Sequence, residues 1–282
     1  MRLLRVGDPG EETPAIELGD SVLDVSAHVE DYDRAFWETD GPQRLASLAD
    51  ERLPVVAEGG RVGPPIAPPS KVVCIGLNYR DHASEAGMEI PPEPIIFFKA
   101  PNTIVGPDDD VLIPPGSKKT DWEVELGCVV GARCRYLPDE QAAAKAIAGY
   151  VISNDISERA YQLERGGQWV KGKSCETFNP LGPVLVTADE IPDPQALDLR
   201  LAVNDVERQV SSTDQMIFGV YHLVWYLSQF MVLEPGDLIN TGTPAGVGLG
   251  LQPPSYLRAG DVMELSIAGL GRQRQVCRPA PL

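Results

Sequence analysis

Short apolar stretches rich in Val and Ile recur along the chain, each stopped by Gly, Pro or Asn: KVVCIGLNY (71–79), PIIFFKA (94–100), VELGCVVG (124–131), YVISNDIS (150–157), PVLVTA (183–188), LRLAVN (199–204) and VMELSIAGL (262–270). β-Branched side chains suit a pleated surface, and the stop residues supply turns. With 27 Gly and 26 Pro, few stretches are left uninterrupted enough for a long helix. A β-rich α+β fold is therefore expected. Helical spacing does appear in DEQAAAKAIAG (139–149) and in STDQMIFGVYHLVWYLSQFMVL (212–233). In the second, Ile217, Val220, Val224, Leu227 and Met231 recur at steps of three and four, which predicts a helix packed on the sheet.

A chain of 282 residues has room for one large domain and a small extra one. The N-terminal part reads as short strands, LLRVG, PAIELGD and SVLDVS, followed by a helix over QRLASLADE (43–51). The Pro- and Gly-rich EGGRVGPPIAPPSK (58–71) then reads as a linker or rigid arm. The boundary is expected near residue 68, with a small N-terminal domain over 1–68 and a main domain over 69–282.

The balance of 24 Lys and Arg against 41 Asp and Glu gives a net charge of −17. Such a field disfavours nucleic acid and anionic membranes as partners. A small anionic substrate needs local compensation, most simply a metal ion with a few placed cations. The cysteines at 74, 128, 134, 175 and 277 form no CxxC pair, so neither structural zinc nor a disulfide framework is expected. No stretch approaches the ~20 apolar residues of a membrane span, and the N-terminus does not read as a signal peptide. A soluble, cytoplasmic protein is the expectation.

Acidic residues interrupt this pattern at TDWEVELG (120–127), which carries Asp121, Glu123 and Glu125. In a strand, Glu123 and Glu125 share a face, roughly 6 to 7 Å apart at the backbone, while Trp122, Val124 and Leu126 face the core. One reading is a strand with a solvated outer face. The other is a strand running into the interior, where repelling carboxylates take up protons or bind a cation. Asp155 likewise ends the apolar run YVISND. Three oxygen donors with no His or Cys suit Mg²⁺, Mn²⁺ or Ca²⁺ rather than zinc or copper. Spacing alone leaves open whether Asp155 lies beside the pair.

Other residues invite chemistry more weakly. His82 and Glu85, spaced i, i+3 in YRDHASEAG, would lie side by side on a helix, where the carboxylate can orient the imidazole. Arg159 and Gln162 follow Asp155 by helical steps, and Lys171 and Lys173 sit in a Gly-flanked loop. TGTPAGVGLG (241–250) looks like a dinucleotide loop, but the turn-rich LQPPSYLRAG follows it where a helix is required. His222 lies off its apolar stripe and His28 in the N-terminal segment, so neither is a candidate.

The order GLNYRDHASE, FFKAPNTIVGP, DWEVELG, SNDISERAYQ, KGKSCETFNPLGP, STDQMIFG, PGDLINTGTPAGVG resembles the fumarylacetoacetate hydrolase superfamily, in its acylpyruvate hydrolase-like branch, over about residues 70 to 270. The resemblance implies a mixed β-sandwich roll with few helices, a variable N-terminal extension and a homodimer. It implies Mg²⁺ or Mn²⁺ at Glu123, Glu125 and Asp155, with Ca²⁺ able to replace them in crystals, and gives Asp121 no ligand role. His82 and Glu85 would form a water-activating dyad on a mobile lid that orders when substrate binds. Lys173 would stabilise developing charge. Arg159, Gln162 and Thr243, the last through its hydroxyl or backbone amide, would hold substrate.

The implied reaction is hydrolysis of a carbon–carbon bond in a 1,3-diketo acid through an enolate that the metal and Lys173 stabilise. The segment QWVKGKSCETFNPLGPVLVTADEIPDP is most similar to the group labelled ureidoglycolate lyase or 2,4-diketo-3-deoxy-L-fuconate hydrolase. The chain departs from many relatives at Glu176 and Asn179, which bears on substrate range. Oxaloacetate decarboxylation or lyase chemistry is the alternative on the same scaffold. A non-catalytic metal- or metabolite-binding protein is the alternative of another class.

Overall fold

A computed structural model describes residues 1–48, 52–57 and 59–281. Among these, the apolar runs form two sheets. The larger has eleven strands, and its main path runs Ser21–Asp24, Thr13–Leu18, Arg2–Val6, Asn179–Thr187, Ile147–Asn154, Val124–Val130, Leu238–Asn240, Val72–Gly76, Ile95–Lys99. Most neighbours are antiparallel, but Leu238–Asn240 runs parallel to Val72–Gly76, so the sheet is mixed. The second sheet has five strands in the order Val206–Ser212, Asp198–Val203, Val262–Ile267, Gly271–Pro279, Val111–Ile113.

One face of the large sheet packs on the small one: Leu126, Ile152 and Val184 share a core with Leu201, Met263 and Leu265. The other face is covered from the N-terminal segment, whose Tyr32, Phe36 and Trp37 pack with Val72, Val129 and Leu185. Burial on both faces explains why Val124–Val130 reads as an apolar run interrupted by a single charged residue, Glu125. The N-terminal strands belong to the same sheet, since Leu3 pairs with Leu185 across Arg2–Val6 and Asn179–Thr187. The expected boundary near residue 68 therefore falls between strands of one sheet, Val62–Gly63 and Val72–Gly76.

Helices are shorter than the spacing predicts. The segment 212–233 is helical only over Val220–Ser228, with Val220, Leu223, Val224 and Leu227 buried. Ile217 and Met231 lie outside it. The helix cannot begin earlier because Asn78 takes the preceding amides: its backbone oxygen accepts from Ile217 N at 2.7 Å and its Oδ1 from Phe218 N at 2.9 Å. In 139–149 the helix Glu140–Lys145 gives way to the strand Ile147–Asn154. Of the expected 43–51 helix, Gly41–Ala46 is helical, and Ala49, Asp50 and Glu51 lie outside the described residues, as does Glu58 of the proline-rich segment.

Strand ends deliver the charged groups to one place. Val124 pairs with Asn154, so Glu123, just before one strand, meets Asp155, just after the other. The Asp155 amide donates to the Glu123 carbonyl at 2.9 Å. Lys99 ends Ile95–Lys99. Lys173 ends the short helix Val170–Lys173, which packs on Arg159–Leu163 through Gly172. A Cβ there would lie 2.5 Å from both Gln162 N and Glu158 O, backbone atoms that cannot swing away. Gly172→Ala is expected to lower stability by about 2 kcal/mol, as overpacking commonly does. A urea midpoint equal to that of the unaltered protein would contradict this.

Candidate active site

Glu123, Glu125 and Asp155 each place a carboxylate oxygen within 4.8 Å of the others. All three are buried, at 6%, 1% and 0% exposure, which removes the reading of a solvated strand face. The face carrying Glu123 and Glu125 is opposite Val124 and Leu126, as strand alternation requires.

Buried cations surround them. Lys173 Nζ donates to Glu123 Oε2 at 2.6 Å and to Asp155 Oδ2 at 2.8 Å. Lys99 Nζ donates to Asp155 Oδ1 at 2.6 Å and to the Ile156 carbonyl at 3.0 Å. Arg159 reaches Glu123 Oε1 through Nη2 at 2.7 Å, Asp121 Oδ2 through Nε at 2.8 Å and Gln162 Oε1 through Nη1 at 3.0 Å. Two of its five N–H donors remain for a ligand. Glu125 differs: its Oε2 accepts from the Gly242 amide at 2.8 Å, and among the described residues no Lys or Arg forms a salt bridge with it.

The acidities follow from this arrangement. Burial pushes Glu123 up, but Lys173 and Arg159 outweigh it and hold its carboxyl at about 2. Burial pushes Lys173 down, and Asp155 and Glu123 more than reverse this. Glu125 is held well above the usual carboxylate range, first by burial and then by repulsion from Asp155 and Glu123. An all-oxygen donor set that holds one carboxylate without a counter-cation, at spacings spanned by oxygens around a small divalent ion, fits Mg²⁺ or Mn²⁺. Glu123, Glu125 and Asp155 are the residues that could hold it.

The segment expected to act as a lid is a helix, Arg80–Ala86. His82 Nδ1 lies 3.3 Å from Glu85 Oε2. His82 is near enough to Glu123 that a charge on its ring would favour the ionised carboxylate, after the larger effects of Lys173 and Arg159. Asp81 accepts from the Ser211 hydroxyl at 2.5 Å, and Glu85 Oε1 from the Gly246 amide at 3.0 Å.

That last contact explains the glycine-rich loop. Its amides are cradled by carboxylates: Gly242 donates to Glu125, Gly246 to Glu85, Gly248 to Asp121 at 2.7 Å and Leu249 to Asp121 at 3.0 Å. Gly246 has φ +99°, and a Cβ there would sit 1.9 Å from the Arg208 carbonyl, so only glycine fits. No helix beyond the short 3₁₀ turn Gly248–Gly250 follows.

Thr243 is buried at the same loop, but its hydroxyl donates to Val124 O at 2.9 Å and accepts from Gln209 Nε2 at 2.8 Å. Its proton is committed to Val124, which leaves the hydroxyl one lone pair with which to accept from a ligand. Lys171 is exposed and bonds the Arg165 carbonyl, outside the cluster. His222 pairs with Glu140 at 3.0 Å. Of the departures, Glu176 is exposed, whereas Asn179 is buried and donates to Ser153 Oγ at 3.0 Å.

Two residues escaped the sequence reasoning. Lys99 was visible as a lysine closing the apolar strand PIIFFKA. Asp121, left without a task, is wholly buried and binds Arg159, two loop amides and the Trp122 amide. A concavity of about 660 Å³ on the small sheet, lined in part by Asp108, Arg200, Glu207, Glu264, Arg272 and Arg274, includes none of the clustered groups.

Comparisons with known proteins show which family the chain resembles over most of its length. The profile of the fumarylacetoacetate (FAA) hydrolase C-terminal family matches residues 71–278. A Burkholderia multivorans protein named as a candidate hydrolase is 51% identical over 282 residues, covering 99% of this chain and all of the relative. The structure of fumarylacetoacetate hydrolase from Exiguobacterium antarcticum is 34% identical with a TM-score of 0.87, covering 99% of this chain and 100% of that one. Maleylpyruvate hydrolase from Sphingobium sp. SYK-6, solved with manganese(II) and pyruvate, is 25% identical with a TM-score of 0.82 and covers both chains fully.

Two outcomes follow from the buried charges. Because Glu125 retains its proton to higher pH than an ordinary carboxyl, Mn²⁺ binding should release protons and tighten as pH rises. Calorimetry in two buffers of different ionisation enthalpy reads this release, and a buffer-independent enthalpy would refute it. Asp121→Asn should cost about 3 kcal/mol by removing one of the two buried carboxylates that hold Arg159, measured by urea unfolding.

Proposed function

This chain belongs to the fumarylacetoacetate hydrolase family and is an enzyme of hydrolase- or lyase-like type, and from that premise we propose that it hydrolyses a carbon–carbon bond in a 1,3-diketo acid of the acylpyruvate kind. The observation that carries this reading is the His82–Glu85 pair, with Glu85 bonded to Gly246 in the same loop whose Gly242 bonds Glu125. A decarboxylase working on the same acids has no need of a group that activates water.

Held by Glu123, Glu125 and Asp155, Mg²⁺ or Mn²⁺ would supply an electrophile for the 2-oxo acid end of the substrate. The two N–H groups of Arg159 not used by Asp121, Glu123 and Gln162 would donate to the substrate carboxylate, with Gln162 bracing the guanidinium. Glu85 Oε2 accepts from His82 Nδ1–H, which leaves Nε2 as the base that takes a proton from water. The water oxygen bonds to the further carbonyl carbon. The bond from that carbon to its neighbour then breaks, and the electron pair passes into the enolate of the 2-oxo acid fragment. Lys173, whose neighbours favour its charged form, stabilises that developing charge. The proton on His82 returns to the enolate carbon, giving a 2-oxo acid and a carboxylic acid.

Ultraviolet absorbance of an acylpyruvate should fall in the presence of enzyme and Mg²⁺, and chelator should stop the loss. His82→Ala should lower kcat by about 10³-fold, within the usual range for a general base, with Mn²⁺ affinity nearly unchanged. Full activity in that variant would remove His82 from the reaction. Pyruvate formed from oxaloacetate, with acylpyruvates untouched, would assign the site to decarboxylation instead.

A further inference from the structure

Apolar side chains that are only partly buried lie beside the acid cluster. Ile95, Phe97 and Lys99 share a face of the strand Ile95–Lys99 by alternation, and Lys99 bonded to Asp155 shows that this face looks into the site. Lys173 Nζ lies 5.0 Å from the Phe97 ring centroid, within cation–π reach. Trp169, immediately before the helix that carries Lys173, meets Phe97 edge to face at 5.3 Å. Gly76 lets the indole lie close on the neighbouring strand: a Cβ there would be 2.7 Å from Trp169 Cζ3 and 3.5 Å from Ile95 Cγ2. Ile95, Phe97 and Trp169 are each only partly buried, so apolar surface is left at the edge of the site.

Arg159 contacts Glu123 and Asp121, whereas the aromatic pair borders Lys173. Resting on the diketo acid reading above, we infer that Ile95, Phe97 and Trp169 form the wall on which the substrate's acyl tail lies, selecting an apolar tail. A tail ending in a second carboxylate or in hydroxyls would lose hydration against this wall with little in return. The cation touching the wall, Lys173, is already shared between Glu123 and Asp155.

The test is binding of pyruvate, 2-oxohexanoate and 2-oxoglutarate to the Mn²⁺-loaded protein by calorimetry. Each buried methylene tightens binding about fourfold. With a wall on one side only, 2-oxohexanoate should bind about tenfold tighter than pyruvate, and 2-oxoglutarate no tighter than pyruvate. In Trp169→Ala the ratio of 2-oxohexanoate to pyruvate affinity should fall to about twofold, and Trp169→Phe should restore most of it. Circular dichroism verifies that the variants are folded. Equal binding of 2-oxoglutarate and 2-oxohexanoate, a ratio unmoved in both Trp169→Ala and Phe97→Ala, or binding of none of the three acids would overturn the wall. If the tail dependence holds while no acylpyruvate is hydrolysed, the wall stands and the reaction assigned above falls.

Discussion

The rest of this structure depends on anionic charge held out of water. Asp121, Glu123, Glu125 and Asp155 are buried together with Lys99, Arg159 and Lys173. Each ion alone would carry a desolvation penalty of several kcal/mol, so none of these groups is stable there without the others. The sheet makes the arrangement possible. Its apolar interior fixes strand register, and register fixes where the strand ends deliver their charges. Four carboxylates against three cations leave Glu125 as the member whose ionisation is least supported, and a divalent cation is the natural complement to such a deficit.

The glycine-rich loop shows the same economy from the backbone side. Its amides serve three carboxylates with separate tasks: Glu125 in the candidate metal set, Glu85 in the dyad and Asp121 beneath Arg159. Neutral dipoles thereby complete what the cations begin, and one segment ties together the lid, the acid cluster and the arginine. Asp121 is a positioning residue in this scheme. It touches neither the candidate metal set nor a place for substrate, but it holds Arg159 from behind while Glu123 holds it from the side.

Within the proposed reaction the site has a direction. The arginine side suits a carboxylate head, the lysine side suits charge that develops during bond cleavage, and the aromatic surface beyond it suits an uncharged tail. One fold can host several chemistries, so the features that bear on the reaction proposed here are the base beside the cluster and what lines the edge where the tail would emerge.

The longer strands carrying Val, Ile and Leu were legible because β-branched runs between turn residues have few other uses, and every run so read is a strand, whereas the three-residue Val111–Ile113 and Leu238–Asn240 were not read. Val206–Ser212 and Gly271–Pro279 were not, because they are polar in composition; Gln209, Gln273 and Gln275 are buried and satisfied by backbone and amide partners, which no hydrophobic pattern reveals. The helix expected over 212–233 lost its first part to Asn78, a residue more than a hundred positions away in sequence. By itself the sequence determined the residue types, the strand-forming runs and an ordered set of motifs sufficient to place the chain in its family, because these are local properties. Only the tertiary structure decided that Lys99 meets Asp155 across 56 positions, that Lys173 meets Glu123 across 50, and that Asp121 serves Arg159 across 38. Those pairings are set by sheet register and by the cost of burying an uncompensated charge, and neither is written in the spacing of the residues.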